Sequence, residues 1–184
     1  MSSQSFLFNR EPHWQGNQRF LQAALPARLH RWLYETGSLT QRLRETYGQG
    51  VAVKVLQHHW SVPFVSERQL LNQAPKQRCL VREVLLYVDV TPLILARTII
   101  PASTVQQTQG SLLRLGTRPI GEVIFAYRQL DSCLCDVTRL GVPQWRQPVV
   151  ELVGIETALH GRRTRHKIAG NTLLISEFFL PALF

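Results

Sequence analysis

The sequence CLVREVLLYVDVTPLILARTIIPAS, residues 79–103, predicts the centre of the fold. It contains two apolar runs rich in valine, isoleucine and leucine, which are joined at residues 89–92. Runs of this length and composition favour strands over helices. Pro92 is tolerated at the start of the second strand, where its missing backbone N–H costs little. We therefore expect a long β-hairpin here.

Each strand of this hairpin carries one arginine on a face that is otherwise aliphatic. Side chains alternate between the two faces of a strand, which places Arg82 and Arg97 among leucine, isoleucine and valine. A buried guanidinium keeps its charge, so it needs a carboxylate or a bound anion. Two interpretations stay open. One is an internal ion pair with Glu83 or Glu177, and the other is a pocket in which both arginines hold carboxylates through their planar forks.

The last predicted strand, residues 172–180, repeats this pattern with the opposite charge. Glu177 shares its face with aliphatic and aromatic residues only. A carboxylate in such surroundings either pairs with a cation or acts as an acid or base in a pocket. The structural alternative pairs Glu177 with Arg82 or Arg97, and the sequence leaves the two interpretations equally open.

The rest of the chain predicts short helices and antiparallel strands. We expect an N-terminal arm over residues 1–25, helices after Pro26 and after the capping residue Ser38, a strand from Val51, a loop at 103–108, a short helix from Pro119, strands at 128–140 and 149–153, and a closing hairpin at 162–180. Strands outnumber helices and mostly form hairpins. The predicted class is therefore α+β, with an antiparallel β-sheet flanked by helices in one domain over residues 1–184.

The charge and hydropathy of the chain bear on its partners and location. The 184 residues include 21 Lys and Arg against 12 Asp and Glu, a formal net charge of +9. The basic residues are scattered and their densest cluster, residues 161–167, is short, so we expect no nucleic-acid partner. No apolar run is long enough to span a bilayer, and the N-terminus lacks the pattern of a secretory signal. A cytoplasmic location is expected.

The sequence shows no pattern for a metal, a cofactor or a disulfide framework. Cys79, Cys133 and Cys135 are an odd number, and we expect them to be reduced thiols. His58 and His59 are adjacent, so on a strand they point to opposite faces and cannot easily share a metal. No phosphate-binding glycine loop or common hydrolase motif occurs. We therefore expect neither a metal nor a cofactor.

Several short segments, taken together in their order and spacing, resemble the chorismate–pyruvate lyase family, the 4-hydroxybenzoate synthases. They are Ser38–Thr40, Leu80–Leu86, Ala96–Pro101, Leu115–Gly121, Gly161–Arg165 and Leu174–Pro181. The resemblance spans about residues 32–181. It implies a monomeric α+β domain whose helical flaps cover a buried site. It also implies a cofactor-independent carbon–oxygen lyase that converts chorismate to pyruvate and 4-hydroxybenzoate, for ubiquinone, plastoquinone or related biosynthesis.

The same resemblance implies roles for particular residues. Substrate-binding positions of the family fall on Leu39, Arg82, Ile120 and Glu177, and Arg97 matches a further arginine. Arg82 and Glu177 are then the catalytic pair: the first holds the ring carboxylate and the second faces the ring hydroxyl. Arg97 serves the enolpyruvyl carboxylate, Ile120 contributes its backbone, and Leu39 closes the flap. Whether Glu177 transfers a proton or only positions the substrate stays open.

Two other functions remain alternatives. A non-catalytic effector-binding domain of the same fold occurs in some bacterial transcription regulators, usually behind a DNA-binding domain, and no helix-turn-helix pattern precedes the matching region here. An anion-binding structural protein would leave Glu177, Arg82 and Arg97 paired only with one another. Residues 141–159 form a longer stretch than is usual in the family, so their relation to the lid of the site is open.

Overall fold

The computed structural model describes residues 4–16 and 25–184. Within these residues, seven strands form one antiparallel sheet in the order β1-β5-β6-β7-β4-β3-β2. The strands are β1 (Gln15–Gly16), β2 (Val51–Ser61), β3 (Cys79–Val88), β4 (Thr91–Ile100), β5 (Leu130–Leu140), β6 (Leu159–Ile168) and β7 (Asn171–Phe179). The helices are α1 (Ala27–Leu33), α2 (Leu39–Tyr47), α3 (Val65–Leu70), α4 (Ala102–Gln107), α5 (Ile120–Ile124) and α6 (Gln147–Val153). The α+β class predicted from the sequence is confirmed.

The predicted hairpin, β3 and β4, lies inside the sheet with β2 on one side and β7 on the other. Its turn includes Asp89 with a positive φ of 53°. The hairpin of β6 and β7 turns at Ala169 and Gly170, both with positive φ, which is the geometry that tight two-residue hairpin turns require. These local turns set the antiparallel order of the four strands that carry the site.

Both faces of the sheet are covered. The front face carries Val84, Ala96 and Glu177, which are paired across neighbouring strands, and it packs against α1, α2, α4 and α5. The back face carries Leu85, Leu95 and Phe178 and packs against the N-terminal segment, α3 and residues 142–155. Charged side chains on either face are therefore enclosed by protein.

Two local predictions were wrong. Residues 149–153 belong to the helix α6 and not to a strand, because Pro148 lies in its first turn and Gly154 ends it in the left-handed conformation with φ of 65°. Residues 102–107 form the helix α4 and not a loop, starting directly after Pro101. Both segments are short, and tertiary packing overrides their local preference.

The described part of the N-terminal arm, residues 4–16, lies on the back face and at the sheet edge. β1 pairs with Val137 and Asp136 of β5, and Phe8 forms a bridge with Trp145. Residues 17–24 of the predicted arm lie outside the described residues. One domain over residues 1–184 stays a prediction, which the single continuous sheet supports. Within the described ranges, no helix is both long and apolar enough to cross a membrane.

Candidate active site

A cavity lies between the front face of the sheet and the helices α2 and α5. The space between its lining residues is about 590 Å³, a figure that includes space open to solvent. Its floor is formed by β3, β4, β7 and β6, and its walls are mostly aliphatic. The polar side chains that line it are Thr40, Arg82, Thr98, Arg162, His166 and Glu177. A few polar groups in a largely apolar, enclosed space are typical of a small-molecule site.

Arg82 lines this cavity and has no carboxylate partner among the described residues. It is 1% exposed, and its Nη2 donates to the backbone carbonyls of Gly116 at 2.9 Å and Arg118 at 3.1 Å. Its Nε is buried and has no hydrogen-bond partner in residues 4–16 and 25–184. Burial lowers the pKa of this guanidinium to about 10, so Arg82 is charged at pH 7. A buried cation that faces a cavity and pairs with no carboxylate favours the binding of an anionic ligand.

Glu177 lines the same cavity and is held by Arg162. The Glu177 Oε2 accepts from the Arg162 Nε at 2.7 Å, while the Arg162 Nη1 donates to the carbonyls of Leu33 and Glu35 at the end of α1. Glu177 and Arg162 are directly opposite each other on β7 and β6. The other carboxylate oxygen, Oε1, accepts no hydrogen bond within the described ranges and is available to a ligand. The structural alternative considered from the sequence, in which Glu177 pairs with Arg82 or Arg97, is therefore wrong.

The structure corrects the assignment of Arg97 to the ligand site. Arg97 lies on the back face and binds Glu67 in a bidentate ion pair at 2.7 and 3.0 Å, and it binds Glu83 at 2.7 Å. Its guanidinium also stacks 4.6 Å from the centroid of the Phe64 ring. Burial opposes its charge, but the two carboxylates outweigh burial and raise the pKa of Arg97. For Arg97 the internal ion pair is the correct interpretation.

The roof of the cavity brings α2 and α5 close together. Leu39 and Thr40 from α2 face Ile120 and Gly121 from α5. A Cβ atom at Gly121 would meet the Ser38 hydroxyl at 2.9 Å, so only glycine permits this approach. The predicted capping bond of Ser38 is present, since its Oγ accepts from the Gln41 N–H at 3.3 Å. Residues 141–159 contribute nothing to the cavity and pack on the back face.

Of the five residues predicted for the site, the structure brings Leu39, Arg82, Ile120 and Glu177 together around one cavity and leaves Arg97 outside it. Their roles in binding and catalysis stay predictions.

Sequence reasoning missed Arg162 and His166. Both alternate onto the front face of β6, but the strand is so rich in charge that neither stood out. Desolvation first, and then the charge of Arg162, lower the pKa of His166 to about 4, so its ring is neutral at pH 7.

The cysteines and the adjacent histidines lie outside the cavity lining. Cys79 is buried on the back face, and burial raises the pKa of its thiol to about 11. Cys133 and Cys135 lie on β5, where Cys135 falls at a register irregularity. In the parts of the chain that are described, no three histidine, cysteine, aspartate or glutamate side chains are grouped as metal ligands.

Comparison with known proteins identifies relatives over almost the whole chain. The family model described as Chorismate lyase matches residues 10–184. A protein from Methylococcus capsulatus named "Probable chorismate pyruvate-lyase" is 38% identical over 152 residues, which are 83% of this chain and 94% of that protein. A protein of the same name from Shewanella frigidimarina is 32% identical over 200 residues, covering 99% of this chain and 95% of its own length.

Solved structures with the same fold include PhnF from Mycobacterium smegmatis. The alignment has a TM-score of 0.59 at 13% identity and covers 82% of this chain and 67% of PhnF. The effector domain of PhnF alone has a TM-score of 0.58 at 13% identity, covering 80% of this chain and 91% of the domain. At such low identity the likeness concerns the fold and says nothing about the ligand.

Proposed function

The chain belongs to the chorismate lyase family and is a lyase, and we propose that it converts chorismate to pyruvate and 4-hydroxybenzoate in the cavity under α2 and α5. The observation that carries this proposal is Arg82, a buried guanidinium without a carboxylate partner among the described residues, which faces the same cavity as Glu177. In this proposal, Arg82 binds the ring carboxylate and Glu177 faces the ring hydroxyl.

The register of the sheet supports this placement. Arg82 lies opposite Thr98, two positions along β4 from Ala96, which lies opposite Glu177. Two strand spacings and two residues separate the Cα atoms of Arg82 and Glu177 by about 12 Å. This separation leaves room for one six-membered ring between the two side chains. A ring with a carboxylate at one end and a hydroxyl at the other matches the two groups.

The chemistry required is an elimination that forms an aromatic ring. A proton leaves the ring carbon that bears the hydroxyl, the bond from the ring to the ether oxygen breaks, and the enolpyruvyl group takes up a proton to become pyruvate. Because the product ring is aromatic, holding the substrate in an enclosed and largely apolar cavity contributes much of the catalysis. Glu177 is the nearest candidate to move or orient the proton.

We further propose that the 4-hydroxybenzoate enters quinone-type biosynthesis, of ubiquinone or plastoquinone. The resemblance to the family supports this step. A monomeric state and a cytoplasmic location also stay predictions.

The proposed function is tested by mixing the purified full chain with chorismate and measuring pyruvate and 4-hydroxybenzoate over time. We expect the two products in equal amounts, at a rate that exhaustive chelation does not change. Binding of 4-hydroxybenzoate without turnover of chorismate would instead favour a non-catalytic effector-binding domain. Activity that is lost on chelation and restored by added zinc or magnesium would contradict cofactor independence.

Glu177→Gln is expected to lower kcat on chorismate by about tenfold or more, because it removes the charge that general acid–base catalysis uses and keeps the shape. The dissociation constant of 4-hydroxybenzoate, measured by calorimetric titration, should change less than kcat. Glu151→Gln on the exposed side of α6 is the matched control and should have no effect. Tighter product binding with unchanged kcat would mean that Glu177 serves only as the structural partner of Arg162.

The two helices of the cavity roof are joined by an ion pair between Arg44 of α2 and Glu122 of α5. Both side chains are about one-third exposed, so the pair is screened and worth at most about 1 kcal/mol. Glu122→Gln should therefore speed the release of 4-hydroxybenzoate by up to about fivefold in stopped-flow experiments. The exchanged pair Arg44→Glu with Glu122→Arg should restore slow release. Release that is equally fast in the exchanged pair would exclude a latching role for this contact.

A further inference from the structure

Three polar side chains that line the cavity, Thr40, Thr98 and His166, have no part in the proposed function. His166 on β6 is 6% exposed and lines the cavity beside Phe125, whose ring it meets edge-on at 6.0 Å. Its Nδ1 lies 2.8 Å from the Ser132 Oγ on β5. No other hydrogen bond reaches the imidazole from residues 4–16 or 25–184, so Nε2 is available to a ligand.

The register of the strands places His166 to one side of the bound ring. Arg82 and Glu177 mark the two ends of the ligand, and Arg162 lies beyond Glu177 in the same row of the sheet. His166 follows Arg162 by four residues along β6, which displaces it along the strand direction by about 13 Å. It therefore lies on a side wall, away from the row that holds Glu177.

The two side walls differ in character. The wall opposite His166 is formed by Val53, Leu86 and Ile94, which are aliphatic. The two threonines of the cavity lie elsewhere: Thr98 is opposite Arg82 in the floor, and Thr40 belongs to the roof on α2. Arg162 is held by Glu177 in the row beyond the hydroxyl end of the ring. Among the polar side chains of the described residues that line the cavity, His166 is therefore the one on the side wall, in reach of a substituent on the side of the ring.

We propose that His166 is a specificity-determining residue that donates a hydrogen bond from Nε2 to the carboxylate of the enolpyruvyl ether, the substituent beside the ring hydroxyl. The inference rests on the proposed function. It assigns His166 to the second carboxylate of chorismate, which Arg97 does not bind. We assign Ser132 as a positioning residue: its Oγ lies 2.8 Å from Nδ1, and a hydroxyl that donates to Nδ1 keeps the ring proton on Nε2. The depressed pKa of His166 agrees with a neutral donor.

A neutral donor suits a group that has to leave. Hydrogen bonds from guanidinium to carboxylate are about twice as strong as those between neutral partners. Arg82 retains the carboxylate that stays on the ring, whereas imidazole holds the departing carboxylate more weakly. The arrangement predicts that His166 distinguishes substrate from product, since 4-hydroxybenzoate lacks the side substituent.

The test compares His166→Leu, His166→Gln and Ser132→Ala with the wild type. Two quantities are measured for each: kcat/KM for chorismate, and the dissociation constants of 4-hydroxybenzoate and of 3-(carboxymethoxy)-4-hydroxybenzoate by calorimetric titration. The second compound is a stable aromatic dianion with an ether carboxylate on the same edge of the ring. His160→Leu, on the same strand and outside the cavity lining, is the matched control, and urea unfolding checks that each variant is folded.

For His166→Leu we expect kcat/KM for chorismate and affinity for the ether dianion to fall by about tenfold or more, the scale of one hydrogen bond to a charged group. Affinity for 4-hydroxybenzoate should stay within about twofold, since no contact to it is lost. His166→Gln, whose amide replaces the Nε2 donor, should recover most of the loss, and Ser132→Ala should show a smaller loss in the same direction.

Equal weakening of 4-hydroxybenzoate and the ether dianion in His166→Leu would overturn the proposal, as would unchanged values for both. A wild-type chain that does not turn over chorismate would contradict the proposed function alone. In that case the ratio of the dissociation constants of 4-hydroxybenzoate and the ether dianion still decides whether His166 binds the side substituent.

Discussion

Arg82→Met is expected to weaken the binding of 4-hydroxybenzoate by about a hundredfold. The substitution keeps the apolar stem and removes the charged fork that we propose holds the ring carboxylate, a loss of about 3 kcal/mol for charge-assisted hydrogen bonds. Arg82→Lys keeps the charge without the planar fork and should weaken binding by about 1.5–3 kcal/mol. Calorimetric titration measures both.

The stability of the unliganded chain should change much less than ligand affinity in the Arg82 variants. No carboxylate within the described ranges pairs with Arg82, so its removal leaves no buried anion behind. The carbonyls of Gly116 and Arg118 lose their donor, which costs about 1–3 kcal/mol at most and is offset by removing a buried charge. A large drop in the free energy of unfolding in urea with unchanged product affinity would contradict the ligand-binding role of Arg82.

Arg97→Met is expected to produce the opposite result, a loss of about 3–5 kcal/mol in the free energy of unfolding with little change in ligand affinity. The substitution leaves Glu67 and Glu83 buried without their cation, and breaking a buried pair by removing one partner has this cost. Glu83 is 0% exposed, and it also accepts from the Ser5 hydroxyl and the Phe6 N–H. The loss should therefore extend to the packing of the N-terminal segment.

Urea unfolding measures this loss, and calorimetric titration below the unfolding transition measures affinity in the folded fraction. The triple variant Arg97→Met, Glu67→Gln, Glu83→Gln removes all three charges and should recover a large part of the stability. Full stability in the single variant would contradict the assignment of the triad as a structural unit. Lost product affinity in folded Arg97→Met would return Arg97 to the ligand site.

The two arginines control for each other because they share residue type, burial and neighbouring strands. Arg82 and Arg97 are both 1% exposed and lie on β3 and β4. They lie on opposite faces of the sheet. Arg97 is paired with carboxylates, whereas Arg82 is paired with none among the described residues. A general effect of removing a buried arginine would appear equally in both variants, whereas the opposite pattern separates a ligand-binding cation from a structural one.

The central hairpin could be predicted from the local sequence. Alternation along β3 and β4, with short turns at their ends, identifies strands because these preferences act between neighbours in the chain. The same alternation shows that Arg82, Arg97 and Glu177 each lie on an otherwise apolar face. The α+β class follows from the order of such elements.

The partners of these charges depended on contacts between distant segments. Arg82 lies opposite Thr98 and Arg97 opposite Glu83, with a register irregularity between Leu86 and Tyr87. Since side chains alternate with a period of two, such a shift changes which residues share a face across a hairpin. Local patterns carry no information on this pairing.

The charges around the cavity also show which features the local sequence predicts and which depend on tertiary contacts. An unbalanced charge among apolar residues is visible in the sequence, because burial makes it costly wherever the strand lies. The three-dimensional packing decides which oppositely charged group pairs with each of these charges. Glu67 of α3 pairs with Arg97, and Arg162 of β6 pairs with Glu177. Of these three cations, Arg82 is the one that no carboxylate of the described residues pairs with, because the cavity lies above it. The cavity beside Arg82 exists only because the helices α2 and α5 pack over the front face of the sheet.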